Sequence, residues 1–296
     1  MKKLLLLMNP CSGKKKANPL LPDIISILNT AGYEVTVYVT AARTDATGIT
    51  AQRGGEFDLI ACIGGDGTFN EVVCGLCSLN PKPPVAYIPA GSTNDFASSL
   101  QISRDILTAT RDITLGKPHL LDIGLFNERY FSYIASFGAF TRTSYATPQS
   151  LKNLLGHTAY LLSGIKEIAS IRTHHLRFTT AEGQVYEDDY LFGAISNSTS
   201  VAGILTLDPK LVDMNDGRFE LLLVRKPHSP LELSDCILSL KTQDYHSPML
   251  TLISTPSVEI EAPEDMDWTL DGEHEPGRPH CSVRNLHSSV EIILNS

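Results

Sequence analysis

Ile63-Gly64-Gly65-Asp66-Gly67-Thr68-Phe69-Asn70-Glu71 places two adjacent glycines, an acid and a hydroxyl where one apolar run gives way to another of different period. Upstream, Phe57 to Ile63 is short, apolar and rich in β-formers, as expected of a strand buried on both faces. Downstream, Phe69 to Leu79 has apolar residues at helical spacing, which predicts a helix with Thr68 at its cap. A helix start presents unpaired N–H groups and the positive end of its macrodipole, and glycine lets backbone approach an anion with no Cβ in the way. The stretch therefore predicts a phosphate cradle with a nucleotide polyphosphate as its ligand. Most glycine-rich turns between strand and helix bind nothing, so on this motif alone both readings stand. The Gly-x-x-x-x-Gly-Lys-Ser/Thr spacing of a P-loop is absent, and so is the dinucleotide fingerprint.

Two further turns weigh toward binding. The strand predicted over Val85 to Ile88 runs into Pro89-Ala90-Gly91-Ser92-Thr93-Asn94-Asp95-Phe96-Ala97, and the first apolar run, Leu4 to Met8, into Asn9-Pro10-Cys11-Ser12-Gly13. In an open α/β sheet, ligands bind beyond the carboxyl ends of the strands. Three polar, glycine-bearing turns at one sheet edge would line a single crevice. Lys14-Lys15-Lys16 follows directly, either facing phosphates or forming a solvated loop.

From Met1 to about Gly116 strands alternate with helices: Asn18 and Pro19 mark a helix start, Gly32 a stop, Tyr33 to Thr40 a strand, and Ser103 to Leu115 a helix. This pattern predicts a doubly wound α/β domain over residues 1–118. Past Pro118 the texture is β-rich. Leu120 to Phe126 and Arg129 to Ser136 flank an Asn127-Glu128 turn, and Leu191 to Ser196, Phe219 to Val224, Val258 to Glu261 and Val290 to Leu294 read as strands. Residues 119–296 are thus expected to form an antiparallel sandwich. Between Leu151 and Ile171 lies an amphipathic helical stripe, which either packs on the second domain or lies on a bilayer surface.

Composition bounds the partners. The chain has 296 residues, ample for two cores, with 42% hydrophobic and 19% charged residues. A net charge of −9 without a long basic run argues against nucleic acid. The apolar run after Met1-Lys2-Lys3 is too short for a signal peptide, and no stretch approaches the roughly 20 apolar residues that span a bilayer. A cytoplasmic protein is expected. Cys11, Cys62, Cys74, Cys77, Cys236 and Cys281 lack a zinc spacing and read as reduced thiols.

Asn-Pro-x-Ser-Gly, Gly-Gly-Asp-Gly-Thr-x-Asn-Glu and Pro-x-Gly-(Ser/Thr)-x-Asn-Asp-Phe-Ala, in this order and at these spacings, resemble the diacylglycerol kinase catalytic family of bacterial lipid kinases. That family is related to the sphingosine kinases and NAD kinases. Lys152 to Tyr160, Asn215-Asp216-Gly217 and Leu270-Asp271-Gly272-Glu273 extend the likeness over nearly the whole chain. Ser92 stands where the family usually has threonine, and keeps the hydroxyl. The resemblance implies an NAD-kinase-like first domain, a second domain that takes the lipid, and a last strand returning to the first domain. It implies ATP and Mg²⁺ as cofactors, a lipid alcohol such as diacylglycerol as acceptor, and peripheral contact with a membrane.

Site residues follow from the same match. Asn9, Pro10, Cys11, Ser12, Gly13, Thr40, Gly64, Gly65, Asp66, Gly67, Thr68, Asn70, Glu71, Ser92 and Asn94 are the expected nucleotide site. Asp66 and Asp95 are the acids expected near the catalytic Mg²⁺. Asp271 and Glu273 are the candidate general bases, not separable at this point, although Asp271-Gly272 taken alone is an ordinary hairpin turn. Asp213, Asp216 and the Arg218 carbonyl are the implied ligands of a structural Mg²⁺; acids three apart on a turn suit a hard cation, and a solvated turn is the other reading. An NAD kinase and a non-catalytic lipid or nucleotide sensor are the competing functions. Asn70-Glu71 and the Pro89 to Ala97 turn resemble lipid kinases better, and acids kept at every reacting position speak against a sensor. An exposed strand edge in the second domain would allow a homodimer.

Overall fold

The computed structural model describes residues 1–138, 173–201 and 205–295. The chain forms two compact units, Met1–Ile123 with Leu286–Ser296, and Gly124–Asn285. The stripe between Leu151 and Ile171 lies outside the described residues.

The first unit alternates as its apolar runs predict: β1 Lys2–Met8, α1 Leu21–Thr30, β2 Tyr33–Val39, α2 Asp45–Arg53, β3 Leu59–Gly64, α3 Asp66–Leu76, β4 Val85–Pro89, α4 Asp95–Ser99 and α5 Ile106–Leu115. The strands pair in parallel in the order β4-β3-β1-β2. Leu4, Leu6 and Met8 of β1 pack with Ala61, Ile63, Ala86 and Ile88 of its neighbours in one core, while Leu5 and Leu7 are buried on the opposite face. Burying each leucine stabilises the unit by about 1.5–3 kcal/mol. The edge strand β2 alternates in burial instead. Helix α5 starts where a side chain satisfies a free N–H group: Asp105 accepts from Thr108 N at 2.8 Å.

The first unit departs from the sequence reading in several places. α3 starts at Asp66 behind Gly65, so Thr68 lies inside the first turn instead of capping it, with its side chain against Gly64. Helix α5 begins at Ile106, not Ser103. Helix α2 has no counterpart in the reading, because only Ala46 and Thr50 along it are buried, too few for an apolar stripe.

The second unit is strand-rich and antiparallel. Strand β5, Lys117–Phe126, passes into it and pairs with β6, Arg129–Phe131. Then follow β7 Ile134–Gly138, β8 His174–Thr180, β9 Val185–Ser196, a two-residue ladder of β10 Ser200–Val201 with β11 Leu205–Thr206, β12 Phe219–Arg225, helix α6 Pro230–Thr242, β13 Leu250–Thr255, β14 Ser257–Glu261, β15 Trp268–Leu270, β16 Glu273–Glu275 and β17 His280–Leu294. β9 pairs with β7, β8 and β12. The core gathers Phe126, Phe131, Phe137, Phe178, Phe219 and Trp268, with Phe137 edge-on to Trp268 at 5.0 Å. The strand expected over Arg129 to Ser136 is broken at Ser132 and Tyr133, whose N–H groups turn toward a carboxylate described below.

β17 contributes to both units. Its first half pairs with β14, and further along Ile292 pairs in parallel with Val85 of β4. In the first unit the tail is tied by Lys82 Nζ donating to Ser289 O at 2.9 Å and Asn295 Nδ2 donating to Asp112 Oδ1 at 2.8 Å.

Candidate active site

The three glycine turns of the first unit meet backbone to backbone at the carboxyl ends of β1, β3 and β4. Asn9 N donates to Ile63 O at 2.9 Å, and Ala90 N to Gly64 O at 2.7 Å. Gly13, at φ +49°, lies so close to the third turn that a Cβ would sit 1.8 Å from Ala90 O. A Cβ on Gly91 would meet Gly65 Cα at 2.7 Å. Only glycine fits at these two positions, so the turns form one continuous surface of exposed backbone. Asn9 fixes two of them: its Nδ2 donates to Thr68 Oγ1 at 3.1 Å, and its Oδ1 accepts from Cys11 N at 3.0 Å.

Around this centre the other expected nucleotide residues take supporting positions. Thr40 N donates to Met8 O at 2.9 Å at the end of β2, and Glu71 Oε1 accepts from Thr44 N at 2.9 Å, holding the segment before α2. Asn94 is buried in the left-handed region at φ 54°, with its Nδ2 donating to Gly91 O at 3.1 Å. Ser92 is exposed.

Asp66 is more engaged than a metal-facing acid need be. Its Oδ2 accepts from Asp95 N at 2.8 Å and its Oδ1 from the Tyr87 hydroxyl at 3.1 Å. Burial raises its pKa above the usual carboxylate value, while hydrogen bonds from Asp95 N, Tyr87 and Phe96 N pull the other way. Asp66 therefore links the start of α3 to the start of α4. Tyr87 was not among the expected site residues: it reads as one more apolar position of β4, is fully buried, and packs tilted against Phe69 with ring centroids 4.8 Å apart.

In the second unit Asp271 and Gly272, at φ +49° and +83°, form the two-residue turn between β15 and β16. The Asp271 side chain does not point to solvent as in an ordinary hairpin. It is buried, and accepts the backbone N–H groups of Ser132, of Tyr133 at 3.1 Å and of Ile134 at 3.0 Å. That is what breaks the strand expected over Arg129 to Ser136. Glu273, half-buried, begins β16. The same hairpin is held by Arg129, whose Nη1 donates to His274 O at 2.8 Å and to Glu275 Oε2 at 2.9 Å.

The turn Asp213 to Arg218 also lies in the second unit. Asp213 Oδ1 accepts from Asn215 N at 3.0 Å and Asp216 Oδ1 from Arg218 N at 2.9 Å. The Arg218 carbonyl accepts from Asn285 Nδ2 at 2.9 Å. Glu220 stands two residues on, 2% exposed. Burial pushes its carboxyl up to about 8, with Asp216 and then Asp213 adding repulsion. Among the described residues no three Asp, Glu, His or Cys side chains group closely enough to hold a metal alone. A cation here needs main-chain oxygen or water as well, which suits the chemistry of Mg²⁺.

A parallel α/β unit whose three glycine turns converge is followed in the chain by an antiparallel unit with a buried acid turn. A family model described as the diacylglycerol kinase catalytic domain matches residues 3–126. The chain is 32% identical to a Bacillus subtilis (strain 168) diacylglycerol kinase, covering 99% of this chain and 97% of that one. Against a Staphylococcus epidermidis diacylglycerol kinase it is 33% identical, over 99% of this chain and 92% of the relative. A solved structure from Bacillus anthracis strain Sterne superposes with a TM-score of 0.80 at 27% identity, covering 99% of this chain and 97% of that chain. A second, of a diacylglycerol kinase from the same organism, superposes at 0.76 with 24% identity, over the same shares, and speaks to fold alone. The chain belongs to the diacylglycerol kinase family, and is an enzyme of the lipid kinase type.

Proposed function

We propose that this protein transfers the γ-phosphoryl group of Mg-ATP to the free hydroxyl of diacylglycerol, giving phosphatidic acid and ADP. The bond from the γ-phosphorus to the β,γ-bridging oxygen breaks, the bond to the lipid oxygen forms, and the hydroxyl proton passes to a carboxylate. The observation that carries this reading is the convergence of the three glycine turns on the start of α3, in a chain related end to end to diacylglycerol kinases.

In this reading the N–H groups of the Asn9 to Gly13 and Gly64 to Thr68 turns hold the phosphates, with Thr40, Asn70, Glu71, Ser92 and Asn94 completing the pocket. Mg²⁺, when bound, neutralises charge on the β- and γ-phosphates. Asp95 is the acid offered to that ion, and Asp66 sets its position through the Asp95 N–H. Glu273 is the general base, because both oxygens of Asp271 already accept backbone N–H groups. Asp271 holds the turn from which Glu273 projects. A second Mg²⁺ at Asp213, Asp216 and the Arg218 carbonyl is structural.

Among the described residues no helix is long and apolar enough to cross a membrane. In this reading the lipid is met by peripheral contact with the bilayer. The test is transfer of labelled γ-phosphate from Mg-ATP to diacylglycerol in mixed micelles, with sphingosine and NAD in parallel. Labelled phosphatidic acid is expected. Label on sphingosine changes the acceptor, label on NAD makes the protein an NAD kinase, and tight ATP binding without transfer overturns the catalytic reading.

A further inference from the structure

The acids around the Asp213 to Arg218 turn lie at two depths. Asp213 and Asp216 are exposed, whereas Glu220, on β12, is buried beneath them. Its Oε2 has no hydrogen-bond donor. A second buried acceptor shares this condition: Asn285 gives its Nδ2 to the Arg218 carbonyl, and its Oδ1 has no donor either. The nearby positive charge does not answer this need. The Arg218 Nη2 is engaged by Glu182 Oε1 at 2.6 Å and Ser254 O at 2.7 Å, and its Nε by Ser254 Oγ at 3.1 Å.

Two orphaned acceptors beside one carbonyl and two exposed carboxylates call for a group that is positive and rich in donors. A hydrated divalent cation is such a group. Mg²⁺ keeps several waters and takes only one or two carboxylates directly, and its bound waters donate hydrogen bonds strongly. Among the described residues no three acidic, His or Cys side chains group at ligating distance, so a cation at this turn needs water in its shell.

We propose that Glu220 and Asn285 hold the water of a divalent cation seated at the Asp213 to Arg218 turn, Glu220 offering its unpartnered Oε2 as acceptor and Asn285 aligning the Arg218 carbonyl. This rests on the cation reading of the turn. Neither residue touches the reacting groups; their role is to make the site bind.

The test uses Mn²⁺ as probe and the full chain without nucleotide, counting free ion by electron paramagnetic resonance and following thermal unfolding with and without the ion. Wild-type protein should bind one Mn²⁺ and unfold at a higher temperature with it. Asp216→Asn should lose this binding. Glu220→Gln, the same shape with one acceptor oxygen replaced by NH₂, should weaken binding at least tenfold while unfolding no earlier than wild type in cation-free buffer; Glu220→Leu should do the same. No Mn²⁺ bound by wild type would overturn the turn as a cation site. Loss in Asp216→Asn with binding within twofold of wild type in both Glu220 variants would leave that site standing and overturn the role given to Glu220.

Discussion

Asp66 Oδ2 accepts the backbone N–H of Asp95 at 2.8 Å, so an acid in the first turn of one helix closes the first turn of the next. The third glycine turn is positioned by the second. Asp66→Asn replaces an acceptor by a donor and should loosen Gly91 to Asp95, weakening ATP binding as measured by calorimetry. Tyr87→Phe removes one hydrogen bond to the same carboxylate, a class of bond that contributes about 1.5–3 kcal/mol, and should lower stability in denaturant with a smaller loss of ATP affinity. ATP binding unchanged in Asp66→Asn would show that this link does not organise the turn.

The two acids of the β15–β16 turn should separate by what they damage. Glu273→Gln is expected to slow phosphoryl transfer by about 10² to 10⁴-fold while leaving the melting temperature and ATP affinity in place. Asp271→Asn sets an NH₂ group against backbone donors in a buried turn. It should lower stability by about 1–3 kcal/mol as well as activity. Transfer kinetics beside thermal unfolding decide it: an unstable Glu273→Gln with a stable, inactive Asp271→Asn would exchange the two roles.

Gly13→Ala carries two faults, a positive φ and a Cβ 1.8 Å from Ala90 O. The first costs about 1–2 kcal/mol, and the second requires one turn to move off the other. Expected are a drop in denaturant midpoint and loss of ATP binding. Gly32→Ala serves as the comparison, because its φ of +91° is also positive but nothing lies near its Cβ; it should lose stability and retain ATP binding.

His175, on the exposed face of β8, has its pKa raised, first by the hydrogen bond to Asp189 and then by that to Glu187. A folded value above the unfolded one of about 6.5 means that its stabilising contribution is fully present below that pH. It is lost as the pH rises through the folded value. Proton NMR titration of the His175 ring should give a midpoint above 6.5, and Asp189→Asn should bring it down. An unchanged midpoint in that variant would remove Asp189 as the cause.

Local signals carried much of the fold. Leu4 to Met8, Leu59 to Ile63 and Val85 to Ile88 are apolar without interruption and each ends at a glycine-bearing turn, so the parallel sheet of the first unit was legible. Helix α6 has no counterpart in the sequence reading, although its start carries a local signal: the Ser229 side chain accepts from Glu232 N, and Glu232 accepts from His228 N. Residues defined by distant partners were not legible. The break at Ser132 depends on Asp271, 139 positions away. Glu220 looks like a lone polar residue in an apolar strand until Asn285 and the Asp213 to Arg218 turn are placed around it. Tyr87 looks like core, and is core, except for its hydroxyl.

The last strand also sets an order of events during synthesis. Leu286–Ser296 belong to the unit that begins at Met1, and Ile292 supplies the strand beside Val85. A ribosome making this chain must therefore complete every residue of the second unit before it can release the piece that finishes the first. Until then the first unit waits with the β4 edge of its sheet uncovered, and chains cut short near the end would be left with the glycine turns on an unfinished base.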